Sequence, residues 1–139
     1  MNTYYINDEN FINSEAYQNF IRNNPSEGYL KIRAYAANSA IPISGLKIVV
    51  SKNIDNNNVI FFEGETNESG VIEKITLPAP KANISNLIKP NNTTYDVSAT
   101  YMQNSKSTMF LVRMYENVYV VQNINVVPNM MKIGDINGS

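Results

Sequence analysis

The chain has 139 residues with 12 acidic and 11 basic side chains, so its formal net charge is −1. This length suits one ordinary domain, and the balanced charge gives no electrostatic reason to expect nucleic acid or an anionic membrane as a partner. The sequence has no cysteine and no histidine, which excludes disulfides, thiolate nucleophiles, imidazole bases and metal sites built from sulfur or imidazole ligands.

Residues 1–27 form a predicted N-terminal arm, either a short helix or a donor-type strand. The segment TYYI at 3–6 favours a strand, whereas Ser14 is a candidate N-cap for a helix that ends before Pro25. The arm holds too many aromatic residues for a solvated tail, so we expect it to dock on a sheet edge, its own or a neighbour's. Its candidate interaction residues are Tyr4, Tyr5, Ile6, Phe11, Tyr17 and Phe20.

From residue 28 to residue 128, apolar and polar residues alternate with a period of two, which is typical of strands. About seven strands are predicted from this pattern, at 29–36, 46–52, 59–66, 71–77, 94–101, 109–115 and 118–127. The longest connection is 78–92, whose prolines cannot donate to a strand ladder. The pattern predicts an all-β fold, an antiparallel β-sandwich of about seven strands, followed at 129–139 by a C-terminal tail where the alternation stops.

The stretch GETNESGVIEKITLPAP at 64–80 lies between two of these strands, with Glu63 just before it. Its carboxylates suggest either a catalytic or metal-binding cluster or the side chains of a tight turn. Gly70 supplies the positive φ that a returning strand needs, and Asn67 offers a side-chain acceptor to the turn backbone. We therefore interpret the stretch as a structural turn, and Pro42 with Gly45 as another.

Three other kinds of chemistry find little support in the sequence. A two-carboxylate glycosidase built on Glu63 and Glu65 conflicts with the expectation that alternating charges on a strand face are solvated. The segment DNNN at 55–58 lacks the glycine and the distal glutamate of an EF-hand calcium loop. Ser105 and Lys106 are adjacent in sequence, which does not supply catalytic geometry. We expect no catalytic residue, no metal and no cofactor.

Three segments carry a family pattern: GYLKIRAYAANSAIPISGLKIVVSK, FFEGETNESGVIEKITLPAP and YDVSATY. The matching positions are Pro42, Ile43, Gly45, Leu46 and Ile48 at a strand start, Thr66, Asn67 and Gly70 in a turn, and Tyr95, Val97 and Ala99 in a strand. In these residues the chain resembles the carboxypeptidase regulatory-like, or transthyretin-like, β-sandwich, and is similar to its copies in clostridial spore and spore-cortex-lytic proteins. The resemblance covers about residues 25–128 and implies a prealbumin-like, Ig-like fold in an accessory role. A Gly-Tyr pair common in such modules is missing after Tyr101.

Four tyrosines on the predicted strands alternate away from the aliphatic positions, namely Tyr29, Tyr35, Tyr115 and Tyr119. Tyrosine is enriched in protein interfaces, and an aromatic strip also stacks sugars. The alternative is that these residues lie on the second, partly covered face of a sheet. We treat them as candidate interaction residues.

Together these features predict a non-catalytic structural or interaction subunit that forms a homo-oligomer or binds other surface proteins. We expect it on a bacterial spore or cell surface, assembled without a signal peptide, with strand addition of the N-terminal arm as a route to a filament. The alternatives are a carbohydrate- or peptidoglycan-binding accessory module with a glycan partner, and a structural protein of a phage or secretion particle. A cytoplasmic location also stays open, and we expect no membrane insertion because the apolar runs are short.

Overall fold

The structure is a computed structural model, and it describes residues 2–83, 90–101 and 107–127. The elements in these residues are β1 (Thr3–Tyr5), α1 (Glu9–Ile12), α2 (Glu15–Asn23), β2 (Ser26–Ala36), β3 (Ile41–Pro42), β4 (Lys47–Ile54), β5 (Asn57–Glu65), β6 (Val71–Ala79), β7 (Thr93–Thr100), β8 (Thr108–Met114) and β9 (Tyr119–Asn125). The predicted C-terminal tail at 129–139 and the pair Ser105–Lys106 lie outside the described residues.

Two sheets form the body of the protein. One has the strand order β1-β5-β4-β7-β8, and in the other β2 lies between β9 on one side and β6 with the short β3 on the other. Buried side chains from both sheets, among them Leu30, Ile48 and Val97, belong to one hydrophobic core, as expected for a sandwich. The prediction of an all-β sandwich with an N-terminal arm is confirmed, but the sheets are mixed rather than purely antiparallel.

Two strand pairs are parallel, which the period-two pattern does not reveal. Strand β2 pairs in parallel with β9, and β1 pairs in parallel with β5. The other strand pairs in the described part of the chain are antiparallel. The alternation of apolar and polar residues indicates which face of a sheet a residue occupies. That face is the same whether the neighbouring strand runs parallel or antiparallel. The direction of a pair therefore depends on how the chain connects the strands.

Strand β6 continues past its predicted end. The prediction that Pro78 lies in the long connection is wrong, because β6 extends to Ala79 and Pro78 stands opposite Glu27 of β2. Proline is tolerated there because β6 is an edge strand, in which alternate N–H groups face away from the neighbouring strand.

The N-terminal arm docks on its own sandwich. Strand β1 adds to the edge of β5, and just beyond it the Ile6 N–H donates to the Ile60 carbonyl at 2.9 Å. Helix α2 begins at its N-cap Ser14, whose Oγ accepts from the Tyr17 N–H at 3.1 Å. Helix α1, capped by Asp8, is not among the predicted elements. The arm thus contains both a strand and helices, where the sequence predicts one or the other.

Candidate interaction surface

The stretch at 64–80 has the geometry of a tight turn. The Asn67 side-chain oxygen accepts from the N–H groups of Ser69 at 2.9 Å and Val71 at 3.0 Å. Gly70 has φ of +76°, and a Cβ at this position would lie 2.4 Å from the Ala34 carbonyl oxygen. Only glycine combines this backbone conformation with so close an approach to β2.

The acidic side chains near this turn do not form a cluster. Glu65 is exposed, and the exposed Glu73 lies 3.5 Å from the Lys31 ammonium in an ion pair. Glu63 accepts a hydrogen bond from the Tyr5 hydroxyl at 3.1 Å, which raises the pKa of that phenol. Within the described ranges, no three acids, histidines or cysteines come together as a metal site. These carboxylates therefore act as solvated or singly paired groups.

Thr66 has a structural role that the sequence alone did not predict. In the sequence it is only one of the positions that match the family pattern. Its buried hydroxyl donates to the Ile43 carbonyl at 2.7 Å and accepts from the Leu46 N–H at 3.0 Å. A buried hydroxyl with both bonds satisfied is stabilising, because either group left unpaired would carry a desolvation cost. Thr66 thus joins the end of β5 to the segment between β3 and β4.

The aromatic residues of the arm pack mainly inward. Phe11 and Phe20 are buried, Tyr4, Ile6 and Tyr17 are half-buried, and Tyr5 is exposed. Tyr4 stacks on Phe11 with ring centroids 5.6 Å apart, and Tyr17 meets the same ring edge-on at 5.7 Å. Phe20 contacts Phe61 of β5 at 5.6 Å. Within one chain, the arm covers the β5 edge of its own sheet.

Tyr29 and Tyr119 come together on the solvent face of the β6-β2-β9 sheet. They occupy opposite positions of the parallel β2–β9 pair, and their ring centroids are 4.8 Å apart. The Lys74 ammonium lies 4.8 Å from the Tyr29 centroid, within the range of a cation–π contact. The result is an aromatic pair with a cation beside it.

The other two predicted tyrosines lie apart from this pair. Tyr35 is on the same strand as Tyr29, with the Arg33 guanidinium 5.9 Å from its ring centroid. Tyr115 follows β8 and lines a pocket of about 310 Å³ together with Pro90 and Val118. The four tyrosines therefore do not form one continuous strip.

Most of the large apolar side chains that are exposed in the described residues lie on β8 and β9 or next to these strands. Among the described residues eight large hydrophobic side chains are exposed, and six of them belong to this part of the chain: Met109, Leu111, Val118, Tyr119, Val121 and Val127. We call these six residues the β8–β9 side. Strand β8 ends one sheet and β9 ends the other, and the two strands contact each other.

Of these six residues the sequence singles out Tyr119 alone. The available signal is that MFLVRM and VYVV carry apolar residues at both phases of the alternation, which in a strand places some of them toward solvent. Tyr119 is 61% exposed and Met109 is 59% exposed. Because these exposed apolar residues lie on or beside two strands that end their sheets, this side is the candidate interaction surface.

A second concave region lies between helix α2 and the β4–β5 turn. It is an open groove of about 560 Å³ bordered by Glu15, Phe20, Lys52 and Asp55. The Lys52 ammonium donates to the Thr94 carbonyl at 2.8 Å, and its partial burial lowers its pKa. This lysine is thus already engaged in joining β4 to β7.

Tyr95 lies next to Lys52, whose ammonium is 5.6 Å from the Tyr95 ring centroid. Its ring is buried and its hydroxyl donates to the Pro78 carbonyl at 2.6 Å across the two sheets. Burial strongly raises the pKa of this phenol, so it stays protonated and serves as a hydrogen-bond donor. Its environment is that of a structural residue of the core.

No family model matches the chain, and no curated protein matches it. Among solved structures it is similar to 5-hydroxyisourate hydrolase of Klebsiella pneumoniae, at 13% identity and a TM-score of 0.47, over 70% of this chain and 90% of that one. It is similar to (S)-allantoin synthase at 9% identity and a TM-score of 0.44, over 72% of this chain and 41% of that one.

A third similar structure is catechol 1,2-dioxygenase from Acinetobacter sp. ADP1, inhibited by bound mercury, at 8% identity and a TM-score of 0.44. That match covers 97% of this chain and 61% of the dioxygenase. The chain thus spans less than two thirds of two of these three structures. At such identities and TM-scores the likenesses carry no argument about activity. Separately, no helix in the described part of the chain is long and apolar enough to cross a membrane.

Proposed function

We propose that this protein is a non-catalytic structural subunit that assembles with copies of itself through the β8–β9 side. The observation that carries the proposal is the concentration of exposed apolar side chains on these two edge strands. Burying such residues against a partner removes apolar area from water, which contributes a favourable free energy of about 25 cal/mol per Å² of buried area. Edge strands also hold unpaired backbone groups that a partner strand can satisfy.

The composition of the chain supports a non-catalytic role. It has no histidine and no cysteine, and its acids near the turn at 64–80 are solvated or singly paired. General acid–base and nucleophilic catalysis most often depend on a histidine or on an activated nucleophile beside a base. The proposed setting, a bacterial spore or cell surface, rests on the motif resemblance.

The experiment is sedimentation velocity over a wide range of concentrations. It compares the wild-type chain with a Leu111→Lys, Val121→Lys double variant. The matched control is Ile41→Lys, because Ile41 is an exposed apolar residue on β3, away from the β8–β9 side. We expect the wild type and the control to associate and the double variant to remain monomeric. A monomeric wild type, or a double variant that associates normally, would overturn the proposal.

Exchange of the N-terminal arm is a second route by which copies can assemble. The arm joins the sandwich through Asn24 and Pro25, and exchange would remake the same β1–β5 contacts between two chains. Tyr5 stands opposite Ile60 in that pair. Because the chain has no cysteine, mixing a Tyr5→Cys chain with an Ile60→Cys chain tests the route directly. Exchange predicts a disulfide-linked heterodimer, whereas an arm that stays on its own chain predicts none.

The aromatic pair favours a second candidate function, glycan binding. Tyr29 and Tyr119 lie close together on a solvent-facing sheet with Lys74 beside them, and aromatic rings of this kind stack on sugars. Co-sedimentation with purified peptidoglycan or spore cortex tests it. Binding that is lost in Tyr29→Ala and Tyr119→Ala, and kept in Tyr35→Ala, would support a glycan site. A wild-type chain that stays in the supernatant would remove this candidate.

A further inference from the structure

The edges of the two sheets differ in how well they are protected. Natural proteins protect edges with short strands, charges and prolines. Strand β1 has three residues. The edge formed by β3 and β6 carries Pro42, Pro78, Glu73 and Lys74, and β8 carries Arg113. Strand β9, YVVQNIN, is seven residues long and has neither a proline nor an acidic or basic residue. It is the least protected of the described edge strands.

The backbone groups on the open edge of β9 follow from its pairing with β2. The Val118 carbonyl accepts from the Tyr29 N–H at 3.0 Å, and the Val126 N–H donates to the Tyr35 carbonyl at 2.8 Å. In a parallel strand, successive residues direct their polar groups alternately to the two sides. Even-numbered residues therefore face β2. The residues that face the open side are Tyr119, Val121, Asn123 and Asn125. No described strand pairs with this side.

We propose that β9 pairs antiparallel with β9 of a second copy, with Val121 on the two-fold axis. This inference rests on the proposed self-assembly and names its strand, direction and register. A two-fold axis makes the contact self-complementary, so that it closes as a dimer. Tyr119 then stands opposite Asn123 of the second copy, and the open-side groups form about six backbone hydrogen bonds. The two β6-β2-β9 sheets become one continuous sheet.

The side chains and charges of β9 fit a second copy. Val121, exposed on each chain, meets its own counterpart across the axis, which forms an apolar cross-strand pair. Moving the two-fold axis by one residue, to Gln122, would instead set Val121 against Asn123. Because β9 has no acidic or basic side chain, two copies of it bring no like charges together. Tyr119 also stays paired with Tyr29 of its own chain on the solvent face.

Single cysteines in this cysteine-free chain test the pairing. Val121→Cys is oxidised under mild conditions at a concentration where the wild type associates, and Ile41→Cys is the matched control. Opposite residues of a hydrogen-bonded antiparallel pair have Cα atoms about 5.5 Å apart, within the range of about 4.4–6.8 Å that a disulfide spans. We expect Val121→Cys to form a disulfide-linked dimer as the main product and the control to stay monomeric.

The register has its own test. Tyr119→Cys and Asn123→Cys chains are oxidised separately and as a mixture. The proposed register predicts that the mixture yields heterodimers and that each chain alone yields few dimers. If the wild type associates but Val121→Cys cross-links no better than Ile41→Cys, the β9 pairing is wrong and the proposed self-assembly stands. A monomeric wild type overturns both.

Amide hydrogen exchange completes the experiment. The Val121 N–H faces the open side, so it should exchange rapidly in dilute, monomeric protein and become protected when the protein associates. The Gln122 N–H faces β2 and should be protected in both states. Protection of Val121 in the monomer would show that this edge is covered within one chain, which would overturn the inference.

Discussion

Glu116 illustrates how a single half-buried side chain joins distant parts of the chain. Its carboxylate accepts from the Ala82 N–H at 2.8 Å and from the Ser26 hydroxyl at 2.7 Å. These two hydrogen bonds, with the nearby Lys81 charge, lower the pKa of the carboxyl group. Glu116 thus connects the segment after β6 and the start of β2 to the turn between β8 and β9.

The lowered pKa of Glu116 gives a pH-dependent prediction. A carboxyl group whose folded pKa lies below its unfolded value stabilises the fold above the unfolded pKa, about 4.3 for Glu. This contribution is lost as the pH falls through the folded pKa. Glu116→Gln should therefore lower the thermal midpoint near neutral pH, and the difference from wild type should shrink in acid. Thermal unfolding across a pH series measures this.

Glu68→Gln is the matched control for that measurement, because Glu68 is an exposed acid in the turn after β5. Its thermal midpoint should follow that of the wild type across the series. A difference between wild type and Glu116→Gln that persists at a pH well below the folded pKa would contradict the prediction.

At position 28 glycine is required because the backbone of a neighbouring segment leaves no room for a side chain. A Cβ at this position would lie 2.6 Å from the Tyr115 carbonyl oxygen, so any side chain would push the turn after β8 away from β2. In the sequence, Gly28 merely precedes an alternating segment. Gly70 differs in this respect, because TNESG is itself a recognisable turn sequence that calls for a positive φ.

At the scale of elements, aromatic residues pack the N-terminal arm onto the sandwich. Phe11 is 1% exposed and packs between Tyr4 and Tyr17, while Phe20 joins helix α2 to Phe61 of β5. The Asn24 side chain accepts from the Thr93 hydroxyl and donates to the Phe20 carbonyl at 2.9 Å, which holds the end of α2 against β7. These contacts add to the short β1–β5 ladder in docking the arm.

Truncation of Phe11 tests this account of the arm. Phe11→Ala removes a buried ring and leaves a cavity, and such substitutions cost about 3–5 kcal/mol in the free energy of unfolding. Urea unfolding measures the loss. The control on the same arm is Tyr5→Ala, which removes an exposed ring and one bond to Glu63; its cost should be within about 0.5 kcal/mol. Equal stability of Phe11→Ala and wild type would mean that the arm is not docked.

At the scale of the whole molecule, the sheet edges differ in the charged residues, prolines and covering segments that protect them from pairing with another chain. The arm covers the β5 edge, and the β3–β6 edge carries charges and prolines. The β8–β9 side is apolar and open among the described residues. Such an asymmetry is expected of a subunit with one dedicated interface, since an unprotected edge on a protein that works alone invites aggregation.

The charge distribution predicts how the association responds to salt. The proposed contact joins two uncharged strands, so screening by sodium chloride should change the dissociation constant of the dimer little. Sodium sulfate should strengthen the association, because excluded salts favour burial of apolar surface. Sedimentation equilibrium at several salt concentrations measures both effects. A dissociation constant that rises steeply with sodium chloride would indicate instead an interface formed by charge pairs.

The sequence determined much of the local structure. Alternation identified the seven longer strands of the sandwich, β2 and β4 to β9, but not the two-residue β3. It also identified the face that Leu30, Ile48 and Val97 present to the core, because a period of two is a property of the strand itself. The N-cap at Ser14 and the turn before Val71 could also be predicted, because each depends only on residues that are close in sequence. The absence of histidine and cysteine is a property of composition.

Only the tertiary structure decided which elements become neighbours. The parallel pairing of β2 with β9, the docking of Phe11 and Phe20, and the meeting of Tyr29 with Tyr119 all join residues that are distant in the chain. The open apolar side exists for the same reason, because an apolar residue in a strand pattern becomes exposed or buried according to what lies across from it. Strand patterns specify faces, and the packing of the two sheets and the arm specifies which faces and edges stay uncovered.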